Sequence, residues 1–273
     1  MQTRFPSNYD LVHTLSRARE TVRLMRMTNP EQTSVLITGG NKGLGLEAAR
    51  RLGEQGWTIF LGSRDEGRGR AAADKLTAGG ANVVMVPLDV TSDESVTDAV
   101  RLVREHTDQL DVLINNAGAP GKGVAPADAT VEEIHSVYDT NVYGPIRVTH
   151  AFLPLLQAAE NPRVVMVSSG GGSFTVVTDP EQPFSKFHEL AYSSSKAALN
   201  MITVRYAQAL PKIKFNIATP GEIANRKFAA TDMNNHTGAL TVTEGTDSIL
   251  RLAMIDADGP TGIFIDRLGP VAW

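Results

Sequence analysis

Short apolar runs alternate along the chain with longer segments of helical periodicity. Ser34-Val35-Leu36-Ile37-Thr38 is apolar at consecutive positions, the pattern of a strand buried on both faces. A glycine-rich turn follows, and Leu44 to Leu52 reads as the first helix. Further strands are predicted at Thr58 to Leu61, Asn82 to Val86, Val112 to Ile114, Val164 to Val167, Lys214 to Ala218 and Gly262 to Ile265. Between them lie helix-length segments. One is capped near Ser92 or Asp93 and runs towards His106, a long one carries Pro145 and Pro154, one runs from Leu190 to about Leu210, and one ends at Met254. Strands alternating with helices in this way predict an α/β fold with a doubly wound parallel sheet in three layers, α/β/α, joined by right-handed crossovers.

Two stretches break the pattern, 170–189 and 222–241, and both follow predicted strand ends. Ligands of open parallel sheets bind beyond the carboxyl ends of the strands, so these stretches are expected to wall a substrate site. Residues 1–30 stand apart as an amphipathic N-terminal extension. Leu11, Leu15, Ala18, Val22 and Met25 fall on one helical stripe, while Arg4, Arg17, Arg19, Arg23 and Arg26 face only Asp10 and Glu20. A helix packed on the flank, an oligomer contact and an organellar presequence all fit, although the two acids weigh against the last. Residues 31–273 then read as a single domain.

Composition narrows the partners. The 273 residues, 42% of them apolar, suffice for one large core. A net charge of -4 gives no bulk attraction to nucleic acid. The absence of cysteine excludes disulfides, thiol catalysis and thiolate-bound metals. His13, His106, His135, His150, His188 and His236 form no close ligand pair, so no metal is expected, although His188 and His236 fall in the candidate substrate stretches. No apolar run approaches the roughly 20 residues of a membrane span. The start of the chain lacks the apolar core of a secretory signal, and a soluble, cytoplasmic protein is expected.

The turn Thr38-Gly39-Gly40-Asn41-Lys42-Gly43-Leu44-Gly45 lies between the first strand and the first helix. Glycines there permit a tight turn and let the free amides and dipole of a helix N-terminus approach a pyrophosphate; alone, they are also ordinary turn residues. The second strand ends in Gly62-Ser63-Arg64-Asp65. An acid at that tip would favour NAD(H), whereas Ser63 is uncharged and Arg64, with Lys42, is available to the 2′-phosphate of NADP(H). Solvated surface cations are the alternative, and Asp65 keeps NAD(H) open. Asp89-Val90 ends the third strand, where the carboxylate suits an adenine amino group or a helix cap. Asn116-Ala117-Gly118 ends the fourth, with small residues suited to close packing against a cofactor.

Tyr192 and Lys196 are four residues apart on one helical face. A nearby ammonium is expected to lower a phenol from its pKa of about 10 towards the working pH, making Tyr192 a proton donor or acceptor. Lys196 is also placed to hold cofactor ribose hydroxyls. Ser168 or Ser169, closing the fifth strand, offers a hydroxyl to the substrate oxygen, and Asn141 is available to orient a water or carbonyl near Lys196. Capping by the serine and a helix kink at the asparagine remain open.

Taken in order, Thr38-Gly39, Gly43-Leu44-Gly45, Asn115-Asn116-Ala117-Gly118, Asn141, Ser169, Tyr192, Lys196 and Pro220-Gly221 resemble the short-chain dehydrogenase/reductase family. The resemblance implies a Rossmann-like domain and a catalytic tetrad of Asn141, Ser169, Tyr192 and Lys196, so Ser169 is favoured over Ser168. Gly39, Asn41, Gly43, Leu44, Asp89, Asn116 and Pro220 would line the cofactor, with Lys42, Gly45, Ser63, Arg64, Val90, Ala117, Gly118 and Gly221 beside them. Asn41-Lys42-Gly43 and the ending Gly262-Ile263-Phe264 to Trp273 are similar to the NADP(H)-dependent carbonyl-reductase branch, which shares a long interval between Ser169 and Tyr192. Here that interval holds Phe174, Phe184 and Phe187, expected as apolar lining for a bulky carbonyl. Asn225 replaces the family's threonine after Pro220-Gly221, which puts the cofactor contact of Thr231 in doubt.

Three functions follow as expectations. The first is NADP(H)-dependent reduction of a small aldehyde or ketone to the alcohol, the others NAD-dependent alcohol oxidation and a dinucleotide-binding sensor or scaffold without turnover. A sensor has no chemical use for Ser169, Tyr192 and Lys196 in register. Oligomeric state is left open.

Overall fold

Side chains alternate along each strand, and the two sets meet different layers of helix. In β1 (Ser34–Ile37) Val35 and Ile37 face one side of the sheet and Leu36 the other, all fully buried. The computed structural model describes residues 33–273; the extension expected at 1–30 lies outside the described residues. One layer comprises α1 (Gly43–Glu54), α2 (Glu66–Ala78) and, from late in the chain, α8 (Val242–Ala253), bearing Leu52, Leu76 and Ile249 on Ile59, Ile114 and Val165. The other comprises α3 (Asp93–Arg104), α5 (Gly144–Ala158) and α7 (Leu190–Ala209), bearing Val103, Phe152 and Leu199 on Phe60, Leu113 and Phe215. Each such fully buried aliphatic or aromatic side chain contributes about 1.5–3 kcal/mol over leaving it exposed.

The strands β2 (Thr58–Ser63), β3 (Asn82–Pro87), β4 (Val112–Asn115), β5 (Arg163–Val167), β6 (Lys214–Ala218), β7 (Gly221–Glu222), β8 (Lys227–Phe228) and β9 (Phe264–Ile265) complete the set. Seven form one parallel sheet in the order β3-β2-β1-β4-β5-β6-β9. The chain moves outward from β1 to β3, then crosses back to place β4 on the other side of β1. That reversal opens a crevice at the carboxyl ends of β1 and β4, the position where such sheets take ligands. The three-layer doubly wound fold expected from the alternating pattern is the observed one.

Three departures bear on the site. The long central region is a helix α4 (Val131–Tyr138), a π turn (Asp139–Tyr143) and α5, not one helix. Pro145 has no N–H to return to the carbonyl of Asn141, so the regular ladder cannot run through, and the N–H of Gly144 reaches five residues back to Asp139. The stretch 170–189 contains a short helix α6 (Phe174–Thr178) between two single 3-10 turns. The stretch 222–241 contains all of the β7–β8 hairpin but Gly221, and a 3-10 turn at Asp232–Asn234. Among the described residues no helix is long and apolar enough to cross a membrane.

Candidate active site

The glycine turn is held from behind by β4. Asn116 Nδ2 donates to the carbonyls of Thr38 (2.9 Å) and Gly39 (3.1 Å), while Thr38 Oγ1 accepts the N–H groups of Asn116 and Ala117, each at 3.0 Å. Gly45 lies under this clamp, and a Cβ there would sit 2.5 Å from Asn116 Nδ2 and 2.6 Å from the Gly39 oxygen. Lys42, the N-cap of α1, lends no side-chain acceptor to the first turn, which contains no acid either. Those amides are therefore open to an anion. Asn41 and Leu44 are half-buried beside the turn, Leu44 against Gly245 of α8.

At the end of β2, Ser63 is buried and its hydroxyl donates to the Asp65 carbonyl (2.8 Å). Asp65 caps α2, accepting the Arg68 N–H at 2.9 Å and pairing with the Arg68 guanidinium at 2.8 Å. Arg64 is exposed and makes no hydrogen bond or ion pair among the described residues. Lys42 differs from expectation: its ammonium is 2.7 Å from Asp232, a tie between the turn and the stretch 222–241. Asp89 is half-committed to a local turn, one carboxylate oxygen accepting Thr91 N–H (2.9 Å) and Oγ1 (2.7 Å). Burial works against its charge, but those bonds and the cations Arg64 and Arg147 hold it below the usual carboxylate range. Val90 is buried against Gly144 of α5. Pro220 and Gly221 anchor the β7–β8 hairpin, the Pro220 carbonyl accepting Ala229 N–H at 3.0 Å.

The four residues expected as a tetrad converge at the carboxyl ends of β4 and β5. Lys196 is buried in α7, with its ammonium 2.9 Å from the Val167 carbonyl and 5.7 Å from the centre of the Tyr192 ring. Desolvation pulls it down to about 8. The two serines separate by contact. Ser168 Oγ donates to Asn200 Oδ1 at 2.6 Å inside the core, whereas Ser169 hydrogen-bonds the Tyr192 phenol and accepts Gly171 N–H at 3.1 Å. Asn141 is fully buried in the π turn. It accepts Ala119 N–H (2.8 Å), donates to the Ala119 carbonyl (2.9 Å) and to Ser195 Oγ (3.0 Å), and Ser195 in turn donates to the Tyr192 carbonyl (2.6 Å). Asn141 thus fastens the loop after β4 to the turn of α7 that carries Tyr192. Gly118 faces the same place, its Cβ position lying 3.5 Å from Asn141 Oδ1 and 3.8 Å from the Lys196 ammonium.

One expectation is reversed. Burial pushes the Tyr192 phenol above its ordinary value; the Ser169 hydrogen bond pulls it back, and the charge of Glu189 adds to the rise. The ammonium of Lys196 points to Val167, so desolvation prevails over it.

Both irregular stretches contribute side chains beside Ser169. Phe184 lies on Gly170, directly after Ser169, and packs against Phe187 (6.3 Å) and Phe228 (6.2 Å). Phe174 does not join them; it is 73% exposed on α6. Phe228, Ile223 and Met233, whose methyl lies 3.5 Å from the Cβ position of Gly118, were not singled out from sequence, and neither was Ser195. Nothing local marks them, because each reaches the site through a contact distant along the chain. Asn225 turns to Glu222 (2.8 Å), and the Thr231 N–H is taken by Asn234 (2.9 Å). His236 pairs with Asp232 at 3.0 Å, His188 is exposed, and no metal-binding group occurs among the described residues.

The family model described as short chain dehydrogenase matches residues 33–236. A short-chain dehydrogenase/reductase of Saponaria officinalis is 33% identical, over 85% of this chain and 93% of that one. A (+)-neomenthol dehydrogenase of Capsicum annuum is 29% identical, over 85% and 95%. Among solved structures, the NADPH-bound carbonyl reductase from chicken fatty liver superposes with a TM-score of 0.77 at 28% identity, over 89% of this chain and 99% of that one. The chain belongs to the short-chain dehydrogenase/reductase family. It is an oxidoreductase of the dinucleotide-dependent kind, and its resemblances run to the NADP(H)-dependent, carbonyl-reductase-like members.

Proposed function

We propose that the protein uses NADP(H) to reduce an aldehyde or ketone to the alcohol, with Tyr192 as the acid. The reading rests above all on the grouping of buried Ser169 and Lys196 with half-buried Tyr192 at the end of β5, beside the crevice that opens at the switch point. The open amides of α1, the close approach allowed by Gly45 and the unpaired Arg64 fit a dinucleotide with a 2′-phosphate. Such a cofactor, when bound, supplies the hydride that the carbonyl carbon receives.

The chain supplies the rest. Ser169 holds the carbonyl oxygen as negative charge develops there, and Tyr192 delivers the proton that turns the oxygen into a hydroxyl. Because burial raises the phenol, Tyr192 stays protonated through neutral pH, which suits an acid and favours reduction over oxidation. With that proton kept, the reduction rate first falls as pH rises past about 8, where Lys196 loses its charge. Lys196, buried at an electrostatic cost, orients the cofactor ribose and keeps positive charge near the proton donor. A scaffold without turnover would gain nothing from that cost.

Tyr192→Phe removes the exchangeable proton and little else. We expect it to fold and to bind NADPH while kcat falls about 10²- to 10⁴-fold. Wild-type turnover by the purified variant on a ketone that the parent reduces would overturn the assignment.

A further inference from the structure

We infer that Asn200 is a positioning residue for the reaction: it acts through Ser169, holding that hydroxyl beside Tyr192 so that both can meet one carbonyl oxygen. The inference rests on the carbonyl-reduction reading and adds a residue to the machinery of that site. Asn200 is 3% exposed in the interior of α7 and follows Tyr192 and Lys196 at intervals of four, along one side of the helix. Asparagine is a poor choice for such a position. It weakens a helix interior, and its amide is costly to bury unless both ends are hydrogen-bonded. Both are: Oδ1 accepts the Ser168 hydroxyl at 2.6 Å, and Nδ2 donates to the Gly172 carbonyl at 3.1 Å. A leucine of similar size would fill the core without that cost, so what the asparagine adds is the pair of bonds.

Those bonds land on either side of Ser169. Ser168 is still held by the sheet, its N–H donating to the Ala218 carbonyl of β6 at 2.8 Å. After Ser169 come Gly170, Gly171 and Gly172, which have no side chains with which to anchor a turn. The turn is instead pressed on the α7 backbone, where a Cβ at Gly172 would lie 2.7 Å from the Lys196 carbonyl carbon. Asn200 therefore fastens the chain to α7 both before Ser169 and after it. The same helix carries Tyr192, whose phenol hydrogen-bonds Ser169, so one rigid element sets the spacing of the two hydroxyls. A hydroxyl free to swing with a run of three glycines would lose that alignment, and a misplacement of about 1 Å costs on the order of 10²-fold in rate. The competing role for Asn200 is a plain tie between β5 and α7, which would act on stability to the same extent whatever side chain stands at position 169.

The test is a double-mutant cycle read in kcat for NADPH-dependent reduction of a ketone that the parent turns over. Ser169→Ala removes the hydroxyl and should cost about 10²-fold. Asn200→Leu should cost about 30-fold in the parent but less than about twofold in the Ser169→Ala background, because the hydroxyl it positions is already gone. Equal losses in the two backgrounds would make Asn200 a structural tie and overturn the inference, as would a loss under about threefold in the parent. Should Asn200→Leu fail to fold, Ser168→Ala takes its place, since it removes one of the two bonds and leaves the amide in the core. The same pattern is then expected, with a loss of about fivefold in the parent and the same overturning result. A crystal structure of the folded variant supplies a readout that needs no turnover. Ser169 Oγ displaced beyond hydrogen-bond reach of the Tyr192 phenol supports the inference even if no ketone is reduced, an outcome that would instead sink carbonyl reduction. Ser169 unmoved overturns the inference whatever the kinetics show.

Discussion

The glycine turn with its clamp and the substrate wall are assembled on opposite principles. Around Gly39 to Gly45 the packing is backbone on backbone. Asn116 ties two carbonyls, Thr38 ties two amides, and a Cβ at Gly45 has no room. Around Ser169 the wall is made of side-chain tips from segments far apart, Phe184 from one stretch, Phe228 and Met233 from the other, with the exposed pair Lys42–Asp232 linking the two regions. Backbone packing tolerates almost no variation, whereas a wall of side chains can change its lining without disturbing the sheet. The first region is therefore suited to a partner that does not vary, and the second to one that does.

The sharpest way to break this contrast is Gly45→Ala. A methyl 2.5 Å from Asn116 and 2.6 Å from a carbonyl forces the clamp apart, for a net loss of about 2 kcal/mol even after the helix-propensity gain of alanine. Thermal unfolding should show a lower Tm, and NADPH titration weaker binding. An unchanged Tm with unchanged affinity would mean that the turn is not held by contact. A smaller effect is expected from Arg64→Ala, where NADPH affinity falls about tenfold while NADH affinity moves little, since the two differ only at the phosphate. Equal weakening of both would return Arg64 to general surface packing.

The smallest effect separates residues within the wall. Phe184→Ala should shift the kcat/KM ratio between bulky and small ketones about fivefold, and Phe174→Ala should leave it within about twofold, because Phe174 lies outside the ring cluster. Equal shifts in the two variants would remove the distinction.

The same contrast explains what was legible in the chain. The strand, turn and helix from Ser34 to Leu52 follow from local periodicity and glycine chemistry, and Tyr192 with Lys196 from a helical spacing. The wall was legible only as two interruptions in the pattern. Phe184 and Phe187 were legible as rings within one of them, but their partner Phe228 was not, because tertiary packing alone joins residues so far apart in sequence. The direction of the Tyr192 shift was illegible for a related reason. Spacing places the ammonium on the correct face, but desolvation depends on everything packed around the phenol. Ser63 and Asp65 show the converse, since polar residues at a strand tip look available until caps and turns claim them.

The π turn at Asp139–Tyr143 carries one more residue than an α-helical turn needs, and this sets the phase of everything after it. Each residue advances an α-helix by about 100°. Deleting one residue between Tyr138 and Gly144 would rotate the apolar stripe of α5, with Val148, Phe152 and Leu156, by that angle against the sheet, or else swing Asn141 away from Ala119 and Ser195. Core and site cannot both be kept in register. A single-codon deletion at this turn, although it touches neither Tyr192 nor Lys196, would force the lineage to choose between folding and catalysis.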